Sequence, residues 1–549
     1  MVSLLPLLFL PLLPPQAEAD LRAHYDVQAY HLDLRVEPEK ERLSGTVTME
    51  AEVTAETLGT VVLDLFDTWE VEAVRFGGAA LEFEHAQAQI RASLPAPLAL
   101  GEIFSLSVDY SGQPTSFDGF AGFHWARTPS GAPWVNTSCQ LPGAHSWWPC
   151  KANFFHPEDK PERVSMDLTV PDGLYGVSNG RLVSSEEDGA GWTTYRWEHG
   201  YPLETYSVTL NVAPYVVVAD QISGLPGLDE PLPFLYYVLP ENAAKAEVQF
   251  RQVPELVRIY SEAFGPYPFP ESKLGLVETN FWGMEHSTAV AYGSSYPAWC
   301  EENGERDPFA SRNRWFDYIL VHELAHEWWG NAVSASSWGH FWIHEGFGTY
   351  AEGVYLERTR GRDTADRFFV EQGRSVDKHA RLYRGDAVDS RQAYAGVIYN
   401  KGAAVLHTLR HYVDDDEAWW RSLQDFNLRF RYGNASTEDF QAVLEEHTGR
   451  DWSRFFQQWV YGEGYPSLRG VVGAKGSRIF VALENRSSGE TRFDLPLDLE
   501  WHEGGQVQRR RLMVPPGEFK SAFPTAEEAE GLRVVGLQRL LGRHRVQVR

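Results

Sequence analysis

The alternation of apolar and polar positions divides the chain into three regions. Between residue 24 and about residue 216 the two kinds alternate with a period near two, as at 30–36 and 46–53, which predicts a large β-domain. From about residue 242 the apolar residues follow helical spacing, with one face running from Val248 to Phe264. Further helical patterns occur at 313–331, 340–357, 399–412 and 436–448. From about residue 465 short alternating stretches return, which predicts a small C-terminal β-sandwich.

These changes of pattern predict the domain boundaries. A chain of 549 residues is too long for one hydrophobic core, so several domains are expected. We predict an N-terminal β-domain at 20–216, a central domain with helical patterns at 217–464 and a β-sandwich at 465–549. The stretch Gly224-Leu225-Pro226-Gly227 is interpreted as the linker between the first two.

The first residues have the pattern of a secretory signal peptide. The apolar run at 4–13 is too short for a bilayer, which needs about 20 apolar residues. Ala17-Glu18-Ala19 follows as a small-residue cleavage pattern, although no Lys or Arg precedes the run. We therefore predict a signal peptide at 1–19 and export to the periplasm or the exterior. No other segment predicts a transmembrane helix.

Charge and cysteine content narrow the class of protein. A formal net charge of -27 argues against nucleic acid and anionic membranes as partners. The acidity favours either solubility alone or a negative cleft that attracts a protonated peptide amine, and both interpretations stay open. Three cysteines are too few for a disulfide framework. Cys139 and Cys150 could close one loop or could be buried thiols, and the sequence does not decide between them.

The segment from His322 to His326 has the pattern H-E-x-x-H. On a helix both histidines lie one turn apart on the same face, so their imidazoles can reach one Zn²⁺ ion. Glu323 lies beside them, where it can take a proton from water. The apolar residues before His322 predict a buried helix, in which two neutral histidines without a ligand would be costly.

A third ligand is expected from Glu345, which follows His326 after eighteen intervening residues. Gly330-Asn331 is expected to end the first helix, so that a second helix can return antiparallel with Glu345 facing the metal. Two histidines and one carboxylate leave a coordination position open, which is typical of a catalytic zinc site. Glu352, two helical turns later, is either an acceptor for a ligand imidazole or a solvated carboxylate.

The spacing of these ligands resembles that of the gluzincin metallo-aminopeptidases, the relatives of aminopeptidase N and the leukotriene hydrolase/aminopeptidase. Further stretches similar to that family lie at 148–150, 157–160, 177–180, 455–460 and 464–466. The resemblance implies an N-terminal β-domain, a thermolysin-like α+β catalytic domain and a C-terminal β-sandwich. It also suggests a shorter form, without the helical C-terminal domain of the larger relatives.

The resemblance extends to a predicted substrate anchor. Gly283-Met284-Glu285-His286 stands where the family has its exopeptidase motif G-x-M-E-N, with Trp282 and His286 as departures. By this resemblance Glu285 binds the ammonium group of the substrate, which limits cleavage to the first peptide bond. His286 could hydrogen-bond the substrate backbone, and a protonated His286 would repel the ammonium group.

Two further residues take predicted roles from the same resemblance. Tyr399, in Tyr399-Asn400-Lys401-Gly402, matches the family's catalytic tyrosine, which donates a hydrogen bond to the developing oxyanion. Gln140 aligns with the residue that lines the pocket for the first substrate residue.

The resemblance therefore implies a zinc aminopeptidase with one Zn²⁺ per chain, acting on peptides with a free N-terminus. Two alternatives stay open: an endopeptidase or epoxide hydrolase on the same metal site, and a non-catalytic peptide-binding protein. The three ligands and the general base are all present, which disfavours the second alternative. The preferred N-terminal residue, the oligomeric state and the biological role do not follow from the sequence.

Overall fold

The computed structural model describes residues 20–116, 122–139, 143–153, 155–293, 296–306, 315–374, 376–377, 380–385 and 390–549. The predicted signal peptide at 1–19 lies outside these ranges. Within them, none of the helices has both the length and the apolar character that a membrane span requires.

Strands make up the N-terminal region, as the alternating pattern predicts. In β1 the apolar Leu32, Leu34 and Val36 are fully buried, and they alternate with His31, Asp33 and Arg35, which are exposed or half-buried. Its strands are β1 (Tyr25–Glu37), β2 (Arg42–Val53), β3 (Thr57–Asp64), β4 (Glu70–Phe76), β5 (Ala79–Ala80), β6 (Phe83–Ala86), β7 (Gln89–Ala99), β8 (Ile103–Gly112), β9 (Gly122–Arg127), β10 (Pro133–Ser138), β11 (Arg163–Pro171), β12 (Tyr175–Ser178), β13 (Arg181–Glu187), β14 (Trp192–His199) and β15 (Leu210–Ala213). The main sheet has the order β13-β14-β11-β1-β2-β8-β4-β5, and smaller sheets have the orders β12-β15-β10-β9 and β3-β7-β6. Leu34 lies opposite Leu168 of β11 and Gly45 of β2.

A second sheet supports the central region. Its strands are β16 (Val216–Ile222), β17 (Leu232–Val238), β18 (Leu274–Thr279), β19 (Gly283–Met284) and β20 (Val290–Gly293), in the order β16-β17-β18-β20-β19. The short edge strand β19 runs antiparallel to β20. The predicted linker at 224–227 is wrong, because it forms the loop of the antiparallel pair β16–β17. Leu225 is buried there, so the Gly and Pro pattern marks a turn within one sheet.

Helices cover this sheet and carry most of the site. They are α1 (Ala243–Gln249), α2 (Val253–Phe264), α3 (Pro297–Asn303), α4 (Tyr318–Ala325), α5 (Trp342–Arg360), α6 (Arg362–Arg374), α7 (Ser390–Ala393), α8 (Gly396–Val413), α9 (Asp416–Phe430), α10 (Thr437–Thr448) and α11 (Ser453–Trp459). The predicted helices at 340–357, 399–412 and 436–448 correspond to α5, α8 and α10. Strands β21 (Val333–Ala335) and β22 (Gly433–Ala435) form a short parallel pair.

The predicted end of the metal-binding helix at Gly330-Asn331 is wrong by about one turn. Helix α4 ends at Ala325. Beyond it, backbone hydrogen bonds connect residues five apart in the sequence instead of four. The amide of Asn331 donates to the His326 carbonyl, and the amide of Ala332 donates to the Glu327 carbonyl. Gly330 then takes a φ of +121°, which turns the chain toward β21.

The C-terminal region is a sandwich of two sheets. Its strands are β23 (Pro466–Ala474), β24 (Arg478–Ser487), β25 (Leu495–Glu503), β26 (Gln506–Val514), β27 (Gly517–Pro524), β28 (Glu530–Val535) and β29 (Arg545–Val548). One sheet has the order β27-β24-β23-β29 and the other the order β26-β25-β28. The predicted sequence of a β-domain, an α+β domain and a β-sandwich is confirmed.

Polar contacts hold the N-terminal domain against the segment that follows α4. The half-buried Lys160 donates through Nζ to the Asn331 carbonyl at 2.6 Å and to Ser334 Oγ at 2.9 Å. Asn179 Nδ2 donates to the Ser287 carbonyl at 2.7 Å. These bonds replace the water that buried polar groups would otherwise need, so they fix the relative position of the two domains at the site.

The cysteines are buried thiols, so the disulfide interpretation is wrong. Cys139, Cys150 and Cys300 are all free. The Cys139 thiol donates to the Tyr206 carbonyl at 3.2 Å, and burial raises its pKa to about 12.

Candidate active site

His322, His326 and Glu345 converge on one point between α4 and α5. One ligand atom from each residue lies within 4.8 Å of the others, and all three residues are buried. The two Nε2 atoms are 3.2 Å apart, and each is 3.5 Å from Glu345 Oε2. The spacing of the motif thus becomes a three-sided cluster of nitrogen and oxygen donors.

The other ring nitrogens show that this cluster suits a cation. His322 Nδ1 lies 2.8 Å from Glu352 Oε1, and His326 Nδ1 lies 2.8 Å from the Trp329 carbonyl. An acceptor at Nδ1 places the proton of a neutral imidazole there and leaves a lone pair on Nε2. Two such lone pairs and a carboxylate then face each other in a buried space. Two histidines and a glutamate are donors that Zn²⁺ prefers, so the residues present fit one zinc ion.

Glu352 settles one alternative that the sequence leaves open. Its side chain is 1% exposed and accepts from a ligand imidazole, so the interpretation as a solvated carboxylate is wrong. Helix α5 therefore supplies both a ligand and the group that orients another ligand.

Glycines make room for the two imidazoles and for the Glu323 carboxylate. A Cβ at Gly348 would stand 3.2 Å from His326 Cε1 and 3.5 Å from His322 Cε1. A Cβ at Gly283 would stand 2.8 Å from Glu323 Oε1. Strand β19, which begins the predicted substrate anchor, therefore lies directly against the Glu323 carboxylate. Burial raises the pKa of Glu323 to about 7.

Aromatic side chains surround the histidines. Tyr318 stacks on His322 with ring centroids 5.2 Å apart, and Tyr399 stacks on the same ring at 6.1 Å. Burial raises the pKa of Tyr399 well above its usual value, so its phenol stays protonated and can donate. Tyr394 OH donates to Glu345 Oε1 at 3.1 Å. Tyr318 is predictable, since it lies four residues before His322 on one helix, whereas no local pattern indicates Tyr394.

Glu285 is buried beside the metal cluster and is oriented from two sides. Tyr206 OH donates to Glu285 Oε1 at 3.0 Å, and Asn331 Nδ2 donates to the Glu285 carbonyl at 2.8 Å. Burial raises the pKa of Glu285, and both His326 and Glu345 are close enough to perturb it. Met284 is buried against Tyr206 and holds β19 in place. Tyr206 lies in a one-turn 3-10 helix of the N-terminal domain (Thr205–Ser207), and no sequence pattern indicates its contact with Glu285.

Two other residues are predicted to contact the substrate, His286 and Gln140. His286 is fully buried, and burial lowers its pKa to about 3. It is therefore neutral near pH 7, so the condition under which His286 would repel an ammonium group is not met. Gln140 lies outside the described residues.

The fold and the donor set define the class: a thermolysin-like catalytic domain with a His-His-Glu metal centre. Residues 248–459 match the peptidase family M1 domain, and residues 23–207 match the peptidase M1 N-terminal domain. The chain belongs to the peptidase M1 family, and the resemblance to gluzincin metallo-aminopeptidases is confirmed.

Named relatives agree with this assignment. The chain is 23% identical over 439 residues to a leucyl aminopeptidase of Saccharolobus solfataricus, covering 78% of this chain and 52% of that protein. It is 24% identical over 477 residues to human glutamyl aminopeptidase, covering 82% of this chain and 48% of that protein. The chain thus spans about half the length of these curated relatives. An M1 zinc metallopeptidase from Deinococcus radiodurans has a similar structure, with a TM-score of 0.65 and 25% identity, covering 80% of this chain and 94% of that chain.

Proposed function

We propose that this chain is a zinc aminopeptidase that removes the N-terminal residue from peptides. The observation that carries the proposal is the place of Glu285. Its buried carboxylate follows a strand that contacts the general base Glu323, and it lies within electrostatic reach of the ligands His326 and Glu345. A substrate ammonium group paired with Glu285 brings the first peptide carbonyl toward the metal cluster, so the anchor selects the first peptide bond.

Each residue of the cluster has a chemical task in this reaction. His322, His326 and Glu345 would hold the zinc ion, which when bound polarises the scissile carbonyl and lowers the pKa of water. Glu323 accepts a proton from the attacking water and returns it to the leaving amine. The protonated Tyr399 donates a hydrogen bond to the oxygen that becomes negative during attack. Glu285 fixes the register of the peptide through its end.

The test of end recognition compares free and N-acetylated forms of the same peptides. Wild-type protein should cleave the free forms and leave the acetylated forms nearly intact, because acetylation removes the cation that Glu285 binds. Glu285→Gln should lower kcat/KM for free peptides by about a hundredfold. Glu271→Gln, a matched change of an exposed carboxylate, should leave kcat/KM unchanged. Efficient cleavage of acetylated peptides that Glu285→Gln does not affect would instead identify an endopeptidase.

The test of the metal is removal and return of zinc. A chelator should abolish hydrolysis, and added Zn²⁺ should restore it at about one ion per chain, since a single ligand cluster is expected. Glu323→Gln should retain the zinc but lose about 10²–10⁴-fold in kcat, because an amide cannot accept the proton. Full activity in protein shown to be free of metal would overturn the proposal.

We also propose that the protein is exported and that its mature chain begins at Asp20. The sequence pattern at 1–19 supports this, and Asp20 is anchored, because its carboxylate pairs with Arg22 at 2.6 Å. N-terminal sequencing of protein isolated from its native cells should begin at Asp20. An intact Met1 in that protein would contradict export by a cleaved signal peptide.

A further inference from the structure

A second cavity lies away from the metal cluster, between the catalytic domain and the C-terminal sandwich. Its volume is about 820 Å³, within the range of sites that hold small molecules. Helices α6 and α8 form one wall, and β23 and the end of the chain form the other. Apolar side chains, among them Val370, Ala404 and Leu541, contribute to its lining.

The polar side chains of this cavity are mostly cationic. Arg374, Arg469, Arg539, Arg543 and Arg545 all line it. This concentration of positive charge occurs in a chain whose formal net charge is -27. Solubility does not account for this cluster of arginines, because the acidic residues in the rest of the chain already give the protein a large net charge. His544 also lines the cavity, and since burial lowers its pKa to about 4, the positive charge comes from the arginines.

Only one of these arginines is neutralised by the described part of the chain. Arg539 Nε lies 3.0 Å from Asp366 Oδ2, and the same carboxylate lies 3.2 Å from His407 Nε2 through its other oxygen. Among the described residues, no carboxylate lies within ion-pair distance of the other four guanidinium groups.

The strand register makes two of the unpaired arginines direct neighbours. Arg469 of β23 lies opposite Arg545 of β29 in a parallel pair. Like charges in this position destabilise a sheet. Glu484 faces Arg469 from the other neighbouring strand, but its carboxylate pairs with Arg486 at 2.6 Å. Among the described residues of this sheet, neither Arg469 nor Arg545 therefore has a carboxylate within ion-pair distance.

We propose that this cavity binds a small organic anion with two or more negative charges, through Arg374, Arg469, Arg543 and Arg545. A guanidinium group presents paired donors that match the oxygens of carboxylates and phosphates. The apolar part of the lining suits the carbon skeleton of such a ligand, and the arginines bind its charged groups. The site is separate from the metal cluster and does not depend on the peptidase proposal.

Calorimetric titration of the zinc-loaded protein tests the site. The probes are inorganic phosphate, glycerol 3-phosphate and succinate, each compared with sodium chloride at equal ionic strength. At least one probe should bind saturably at about one site per chain. Binding of the two phosphates without succinate identifies a phosphorylated ligand, and binding of succinate alone identifies a carboxylate.

Single variants locate the binding. Arg374→Gln and Arg543→Gln should each weaken the probe that binds by about tenfold, since each removes one charged hydrogen-bond donor. Both residues are exposed, so the variants should unfold at the wild-type temperature without probe. Arg478→Gln, an exposed arginine on β24 away from the cavity, is the matched control and should bind like wild type. The proposal would be overturned if none of the three probes bound. It would also be overturned if Arg478→Gln weakened probe binding as much as Arg374→Gln and Arg543→Gln do.

Discussion

Gly346 of α5 and Gly402 of α8 bring the two helices into backbone contact. A Cβ on Gly402 would stand 2.6 Å from Gly346 Cα, and a Cβ on Gly346 would stand 3.0 Å from Gly402 Cα. Glu345 is the neighbour of the first glycine, and Tyr399 lies one turn before the second. The close approach of these two backbones therefore positions Glu345 and Tyr399, the proposed third metal ligand and the proposed oxyanion donor, relative to each other.

Gly402→Ala should disturb both stability and catalysis. The added methyl group must separate α5 from α8, which should cost roughly 1–3 kcal/mol of unfolding free energy. It should also lower kcat more than it raises KM, because the proposed role of Tyr399 is to donate a hydrogen bond in the transition state. Gly396→Ala at the start of α8 meets no atom within 4 Å and should leave both quantities nearly unchanged. If both substitutions changed stability and kcat equally, the contact between α5 and α8 would not be the cause of the change.

Tyr206→Phe should weaken the proposed anchor for the substrate end, Glu285, without loss of zinc. The phenol donates to Glu285 Oε1 at 3.0 Å, and a hydrogen bond to a charged group is worth about 1.5–3 kcal/mol. We expect kcat/KM for free peptides to fall about tenfold or more, measured beside the zinc content of the same preparation. Tyr201→Phe removes a phenol from the same segment but outside the site, and it should have no such effect. A normal kcat/KM in Tyr206→Phe would show that Glu285 does not need this donor.

Glu352→Gln should loosen the metal. Loss of the carboxylate that accepts from His322 Nδ1 should reduce zinc affinity by about 10–100-fold, measured by competition with a chelator. Glu357→Gln is the control on the same helix, since Glu357 pairs with Arg410 at 2.6 Å instead of with a ligand. Zinc affinity should be unchanged in that control. Equal zinc affinity in Glu352→Gln and wild type would show that the Glu352 carboxylate does not contribute to metal binding.

His286 should make the folded protein less stable in acid. Burial lowers its pKa from 6.5 to about 3, so between these values the unfolded chain binds a proton that the folded chain does not. The stability that depends on a neutral His286 is complete above pH 6.5 and is lost as the pH falls toward 3. In zinc-free protein, His286→Asn should flatten the fall of unfolding free energy by up to about 1.4 kcal/mol per pH unit. The same slope in both proteins would show that His286 is protonated in the folded state.

The parts of the site that depend on local residue spacing can be predicted from the sequence. His322 and His326 could be predicted because helix geometry places residues four apart on one face. Glu345 could be predicted because it lies in a second helical pattern that follows the first after a short connection. The β-regions and most helices follow from periodicity in the same way. The turn at 224–227 could not be distinguished from a linker, since both need the same Gly and Pro residues.

The remaining parts of the site depend on contacts between distant segments. Tyr206 and Tyr394 reach Glu285 and Glu345 from segments without a periodic pattern, so nothing near them in the chain indicates their partners. The state of His286 and of Glu352 depends on burial, which requires the packed domains. The end of α4 depends on hydrogen bonds that widen after His326, and residue preferences do not indicate that change.

The hydrogen bond between Tyr206 and Glu285 joins two domains, and this limits which domains can be exchanged for those of another protein. Ser207 Oγ also accepts from the Ser287 amide at 2.8 Å, so the segment around Tyr206 is fitted to one particular catalytic domain. A chimera with an N-terminal domain from a distant relative would keep the three residues proposed to bind zinc. Its N-terminal domain would have to supply donors and acceptors that fit Glu285 and Ser287. Domain shuffling between such proteins should therefore yield metal-loaded hybrids that no longer recognise the end of a peptide, unless both sides of the contact are exchanged together.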